Sequence, residues 1–122
     1  MLESNEKLEK TPLEAKTTKI DPSENCYRRL FDPRTETMGI KAGSVVLMPA
    51  ESVGRHSTES SEEILIVLDG EGRFHRAGGA AIPMEKGSLV YCPPNTEHDV
   101  ENTGSIPLRY IFVVAPFCSR LA

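Results

Sequence analysis

A chain of 122 residues is one domain's worth, and a compact fold of that length buries roughly two-thirds of the surface its unfolded chain exposes, enough for one sizeable core. Apolar residues at 39 % and charged residues at 26 % sit near globular averages, which excludes a fibrous repeat or disorder of the whole chain. A formal charge of -4, with no basic stripe interleaved with aromatics, argues against nucleic acid as a partner.

Residues 1–24 are rich in Glu, Lys, Thr and Ser, hold only isolated Leu and Ile, and contain Pro12 and Pro22. They read as a flexible N-terminal tail, with the alternative that part of it becomes ordered by lying along a neighbouring subunit. Residues 25–118 read as one domain, followed by a short C-terminal tail at 119–122. Within it, β-prone runs alternate with turn residues: "CYRRLF", "GSVVLMP", "EEILIVLDG", "GRFHRAGG", "AAIPMEKG", "SLVYCPPN", "HDVENTG" and "PLRYIFVV". A spacing of roughly eight to twelve residues favours an antiparallel sandwich or barrel, and no stretch after residue 26 keeps helical periodicity over three turns. The class is therefore all-β.

The longest apolar runs, at 64–68 and 110–117, fall far short of the roughly 20 residues that cross a bilayer, so no membrane span is expected. The charged N-terminus lacks the apolar segment of a signal peptide, which points to the cytoplasm. In that reducing compartment Cys26, Cys92 and Cys118, with no CxxC spacing, are expected to be free thiols.

In "EEILIVLDG" apolar side chains occupy both parities, the pattern of a strand buried on both faces. Glu63 opens that strand, and a carboxylate there needs a cation, a metal or several hydrogen-bond donors to stay charged.

Two stretches carry the chemistry. In the first, His56, Glu63 and Gly70 stand with Ala50 and Thr58; in the second, "GSLVYCPPNTEHDVEN", stand Gly87, Pro93, His98 and Asn102, with Asn95 two residues after the proline. Together they resemble the two motifs of the cupin family, G-x5-H-x-H-x(3 or 4)-E-x6-G and G-x5-P-x-G-x2-H-x3-N. Thr58 replaces the second histidine, Ala50 the leading glycine and Asn95 the inner glycine. The short segment between Gly70 and Gly87 is like that of compact single-domain cupins, and the likeness covers roughly residues 26–116.

The resemblance implies a double-stranded β-helix, a jelly-roll barrel, with His56, Glu63 and His98 converging as metal ligands and Thr58 as a weak ligand or substrate contact. A 2-His-1-carboxylate set with open positions suits one divalent ion, Fe, Mn, Ni, Co or Zn. The competing reading keeps the same residues as a hydrogen-bonded polar cluster without metal. Asn95 tolerates the positive φ that the turn requires.

Parity places Glu62 opposite to Glu63, Phe74 in the core and His75 outside, and makes Cys92 a small buried hydrophobe. Glu59 reads as a solvated loop charge. Tyr91, Tyr110, Phe112 and Met48 read as core or pocket wall, and Arg109 as facing water or a bound anion. The implied function is metal-dependent chemistry on a small organic molecule (oxygenase, isomerase or lyase) or, alternatively, non-catalytic ligand binding. A homodimer is expected, because a small jelly roll leaves sheet edges and a sheet face to cover.

Overall fold

The computed structural model describes residues 13–117. Residues 1–12 of the expected N-terminal tail, Cys118 and the expected C-terminal tail lie outside the described residues. Each of the eight β-prone runs forms a strand: β1 (Arg28–Phe31), β2 (Lys41–Leu47), β3 (Ser61–Asp69), β4 (Glu71–Arg76), β5 (Ile82–Glu85), β6 (Leu89–Cys92), β7 (His98–Asn102) and β8 (Leu108–Pro116). They build a five-stranded sheet, β1-β2-β8-β3-β6, and a three-stranded sheet, β5-β4-β7. Every pairing is antiparallel. The architecture is the double-stranded β-helix expected from the motifs.

The core lies between the two sheets and follows the period of two that a pleated strand imposes. Leu65 and Val67 of β3, Val90 and Cys92 of β6, and Leu108 and Tyr110 of β8 meet Phe74, Met84 and Val100 of the smaller sheet. Each large apolar side chain buried this way stabilises the fold by about 1.5–3 kcal/mol relative to exposure. On β7 the same alternation sends His98, Val100 and Asn102 inward while Asp99 and Glu101 face out.

Turn geometry explains the motif's small residues. Gly70 has φ 84°, and a Cβ there would stand 2.5 Å from the Pro107 carbonyl oxygen, so the β3–β4 turn admits only glycine. Asn95 adopts φ 55°, as its replacement of a glycine required. Ala50, in the place of the other motif glycine, is held at φ 74°, a conformation that costs an L-residue about 1–2 kcal/mol.

The expectation that β3 is buried on both faces is corrected. Glu63, Leu65 and Val67 face inward, but Ile64 is 40 % exposed on the outer face, beside exposed Leu89 and Tyr91 of β6. The apolar residues of both parities therefore reflect an apolar outer sheet surface rather than a second covering layer. Tyr91 and Met48 are likewise exposed, not wall residues. Tyr91 donates a hydrogen bond to Glu62 Oε1 on the outer face at 2.7 Å. Arg109 is half-buried and engaged within the chain: its guanidinium donates to the Glu24 carbonyl at 2.5 Å and to Asn25 Oδ1 at 3.3 Å. Leu13 to Lys16 border an open groove on the outer face beside Ile111 and Val113.

Candidate metal centre

His56 and His98 are brought together by the backbone. Their main chains form an isolated antiparallel bridge in which each N–H donates to the other's carbonyl, at 2.9 and 2.8 Å. Residues directly opposite each other in such a pair share a face, so the two rings lie side by side, with centroids 4.3 Å apart. Glu63 arrives from the other sheet, on β3, opposite Cys92 of β6 and Val114 of β8. One ligand-type atom from each of His56, Glu63 and His98 lies within 4.8 Å of the others.

The environment orients the rings. His98 Nδ1 lies 2.9 Å from the Thr96 carbonyl and His56 Nδ1 lies 2.7 Å from the Gly54 carbonyl. A carbonyl only accepts, so both Nδ1 atoms carry the hydrogen and both neutral rings keep their lone pair on Nε2. Phe74 stacks on His98 at 5.2 Å and fixes the plane of that ring. His98 and Glu63 are buried, whereas His56 stands at the exposed rim.

One contact tests whether a cation fits. His98 Nε2 and Glu63 Oε1 stand 3.0 Å apart, yet neither atom has a partner in hydrogen-bonding geometry, and both are fully enclosed. Two lone pairs facing each other in a buried site repel unless a proton or a metal ion lies against both. The donor set therefore fits a divalent ion, and in its absence a proton on His98 Nε2 facing Glu63 Oε1 answers the same repulsion. Burial alone pulls the His98 pKa down, but the Glu63 carboxylate and the Thr96 carbonyl outweigh it, and the net shift is upward.

The remaining residues sort clearly. Thr58 lines the same cavity, with its hydroxyl donating to the Ser61 carbonyl at 2.9 Å. Cys92 is buried, and burial followed by the Glu63 charge pushes its thiol up to about 11, so no thiolate forms at neutral pH. Burial also drives the Tyr110 phenol far above its ordinary range, so it stays protonated at neutral pH. His75 faces outward and pairs with Glu101 at 2.7 Å, and Glu59 is an exposed turn residue. Asn102, matched only by motif, is a clamp rather than a ligand: its amide donates to the Leu47 and Ile106 carbonyls, and its Oδ1 accepts from Gly104.

The three ligand-type residues open on a cavity of about 690 Å³ in the barrel, walled by Val45, Leu65, Tyr110, Phe112 and Val114. Sequence reasoning missed Lys41 and Tyr27, which also line it. The alternation of "KAGSVVL" held a signal for Lys41, because it shares parity with inward Val45 and Leu47.

The family model described as "Cupin domain" matches residues 43–114. The chain belongs to the cupin family. This cupin is 37 % identical over 68 residues to the oxalate-binding protein of Thermotoga maritima, a match covering 56 % of this chain and 55 % of that one. It is 36 % identical over 87 residues to an uncharacterized protein of Methanocaldococcus jannaschii, covering 71 % of this chain and 62 % of that one. The matches thus span little more than half the length of these relatives. Among solved structures, an RmlC-like cupin family protein of Methanocaldococcus jannaschii superposes with a TM-score of 0.71 at 21 % identity, covering 90 % and 98 % of the two chains. Among the described residues no helix is long and apolar enough to cross a membrane.

Proposed function

We propose that this cupin holds one divalent transition-metal ion on His56, Glu63 and His98 and uses it on a small organic molecule bound in the adjoining cavity. The observation that carries this reading is the buried, unpartnered pair of Glu63 Oε1 and His98 Nε2, 3.0 Å apart. Two neutral imidazoles and one carboxylate suit Fe, Mn, Ni, Co or Zn and leave coordination positions open. When bound, the ion supplies Lewis-acid or redox activation of a ligand oxygen. The chain's own residues do the rest. Glu63 contributes the anionic ligand, the carbonyls of Thr96 and Gly54 hold the imidazoles in the ligating tautomer, and the apolar walls exclude water. Tyr110 presents a phenol that stays protonated, and Thr58, on the same cavity lining, is the weak ligand or substrate contact of this reading.

An oxygenase, isomerase or lyase reaction uses such open positions, and we favour an enzyme on that ground. The second reading, a barrel that binds without turnover, is supported by the name of the Thermotoga relative, an oxalate-binding protein. Protein purified without a histidine tag is expected to carry about one equivalent of metal per chain. Oxygen uptake or conversion of screened small acids, enols and diols after Fe(II) restoration would establish the enzyme. Ligand-induced stabilisation without conversion would establish the binder, and absence of metal would remove both metal readings.

The same reading includes a homodimer through the outer face of the larger sheet, where Ile64, Leu89 and Tyr91 are exposed. Light scattering at micromolar concentration is expected to give twice the chain mass. A monomeric mass would refute the dimer, and dissociation only on deleting residues 1–24 would assign the interface to the N-terminal segment.

A further inference from the structure

We propose that Lys41 is the anion-recognising group of the barrel cavity, so that the molecule bound there carries a carboxylate at one end and a metal-directed oxygen donor at the other. The proposal rests on the metal reading above for the second end only. Among the described residues lining the cavity, Lys41 is the one Lys or Arg. Its position relative to the triad follows from strand register. Lys41 pairs with Val114, Val114 pairs with Glu63 and Glu63 pairs with Cys92, so the four residues form one row across β2, β8, β3 and β6 on the inner face. Two strand spacings separate the backbones of Lys41 and Glu63, about 10 Å. That gap accommodates a single small molecule touching both side chains.

The ammonium is also uncommitted. Some cations of the described residues find acids, as Arg28 does with Glu24, Arg34 with Asp32 and Arg55 with Glu97. Lys41 has no such partner among the described residues, and its Nζ lies 6.0 Å from the Phe112 ring centroid. The Lys41 residue is half-buried beside the aromatic wall, and an anionic ligand group in the cavity would give its ammonium a partner. The space between has flat apolar walls: Tyr27 stacks on Phe112 at 6.2 Å, and Tyr110 lies on the next inward position of β8. A planar or apolar body joining the two polar ends fits it best.

The test compares 3,4-dihydroxybenzoate with its methyl ester by calorimetry on zinc-loaded protein. The catechol end is common to both probes, and only the acid carries the anion. Wild type is expected to bind the acid about tenfold more tightly than the ester, the size of one charge-assisted hydrogen bond. Lys41→Gln should hold the same zinc and lose the preference, and Lys41→Arg should keep it. An acid-to-ester ratio unchanged in Lys41→Gln, or no preference in wild type, would overturn the proposal. Failure to load zinc overturns the metal reading alone, because the acid-to-ester ratio is then read on the metal-free barrel, where the ammonium is still in place.

Discussion

The His98→Ala protein is expected to lose its metal, with affinity down by more than about 100-fold, beyond the loss typical of disturbing a mere outer-shell partner. His98 supplies the buried nitrogen that faces Glu63 Oε1 at 3.0 Å, and removing it leaves two ligands, one of them at the exposed rim. The same substitution strips the ring from Phe74 and strands a buried carboxylate, so some destabilisation accompanies it. His56→Ala separates the two effects. His56 is exposed, so its loss should weaken metal binding comparably while stability changes by no more than about 1 kcal/mol. Elemental analysis and chelator competition measure both variants, and metal content equal to wild type in either would sink the ligand assignment.

Proton competition gives the same site a pH signature. The His98 pKa is raised above its ordinary value of 6.5, after burial and the opposing Glu63 and Thr96 contributions are combined. In the metal-free protein the protonated ring is favoured by folding, so its stabilising contribution is complete below that value and is lost as pH rises through the raised pKa. Metal binding requires the neutral ring, so metal affinity climbs across the same window.

Much of this was legible in the residues. All eight strands were readable because glycine and proline punctuate them. Glu63 was readable because an acid at the head of an apolar strand demands a counter-charge, whereas His98 was reached only through its match to the second cupin motif, whose Pro-Pro-Asn turn stands just before it. Asn95 was readable from the same turn, since its φ of 55° is one that asparagine tolerates. What could not be read depends on register between strands distant in sequence. Lys41 reaches the row of Glu63 only because both pair with Val114, and Arg109 meets Glu24 across 85 positions of chain. The outward turn of Tyr91 was readable and missed: its neighbours Val90 and Cys92 face inward, so parity alone sends it out. The mixed parity of β3 was ambiguous, because an apolar outer face and a second buried face look alike in sequence.

Asn102→Ala is expected to cost about 3 kcal/mol, the sum of three net hydrogen-bond contributions, and to lower the melting midpoint by more than about 10 °C. The side chain is 1 % exposed. Its amide bridges the Leu47 carbonyl at the end of β2 and the Ile106 carbonyl before β8, both at 2.9 Å, while Oδ1 accepts from Gly104 N at 2.8 Å. One residue thus closes the β7–β8 turn and ties it to the exit of β2. Alanine leaves those carbonyls short of a donor, and aspartate should be worse, because its oxygens would face two carbonyl oxygens where the amide now donates. Asn102 lies at the opposite end of β7 from His98, so metal content at temperatures where the variant is folded should match wild type. Thermal unfolding of the Ala and Asp variants decides it. An aspartate variant as stable as alanine would show that packing, not hydrogen bonding, sets the requirement at 102, and metal loss from folded Asn102→Ala would show that the clamp reaches the ligand set after all.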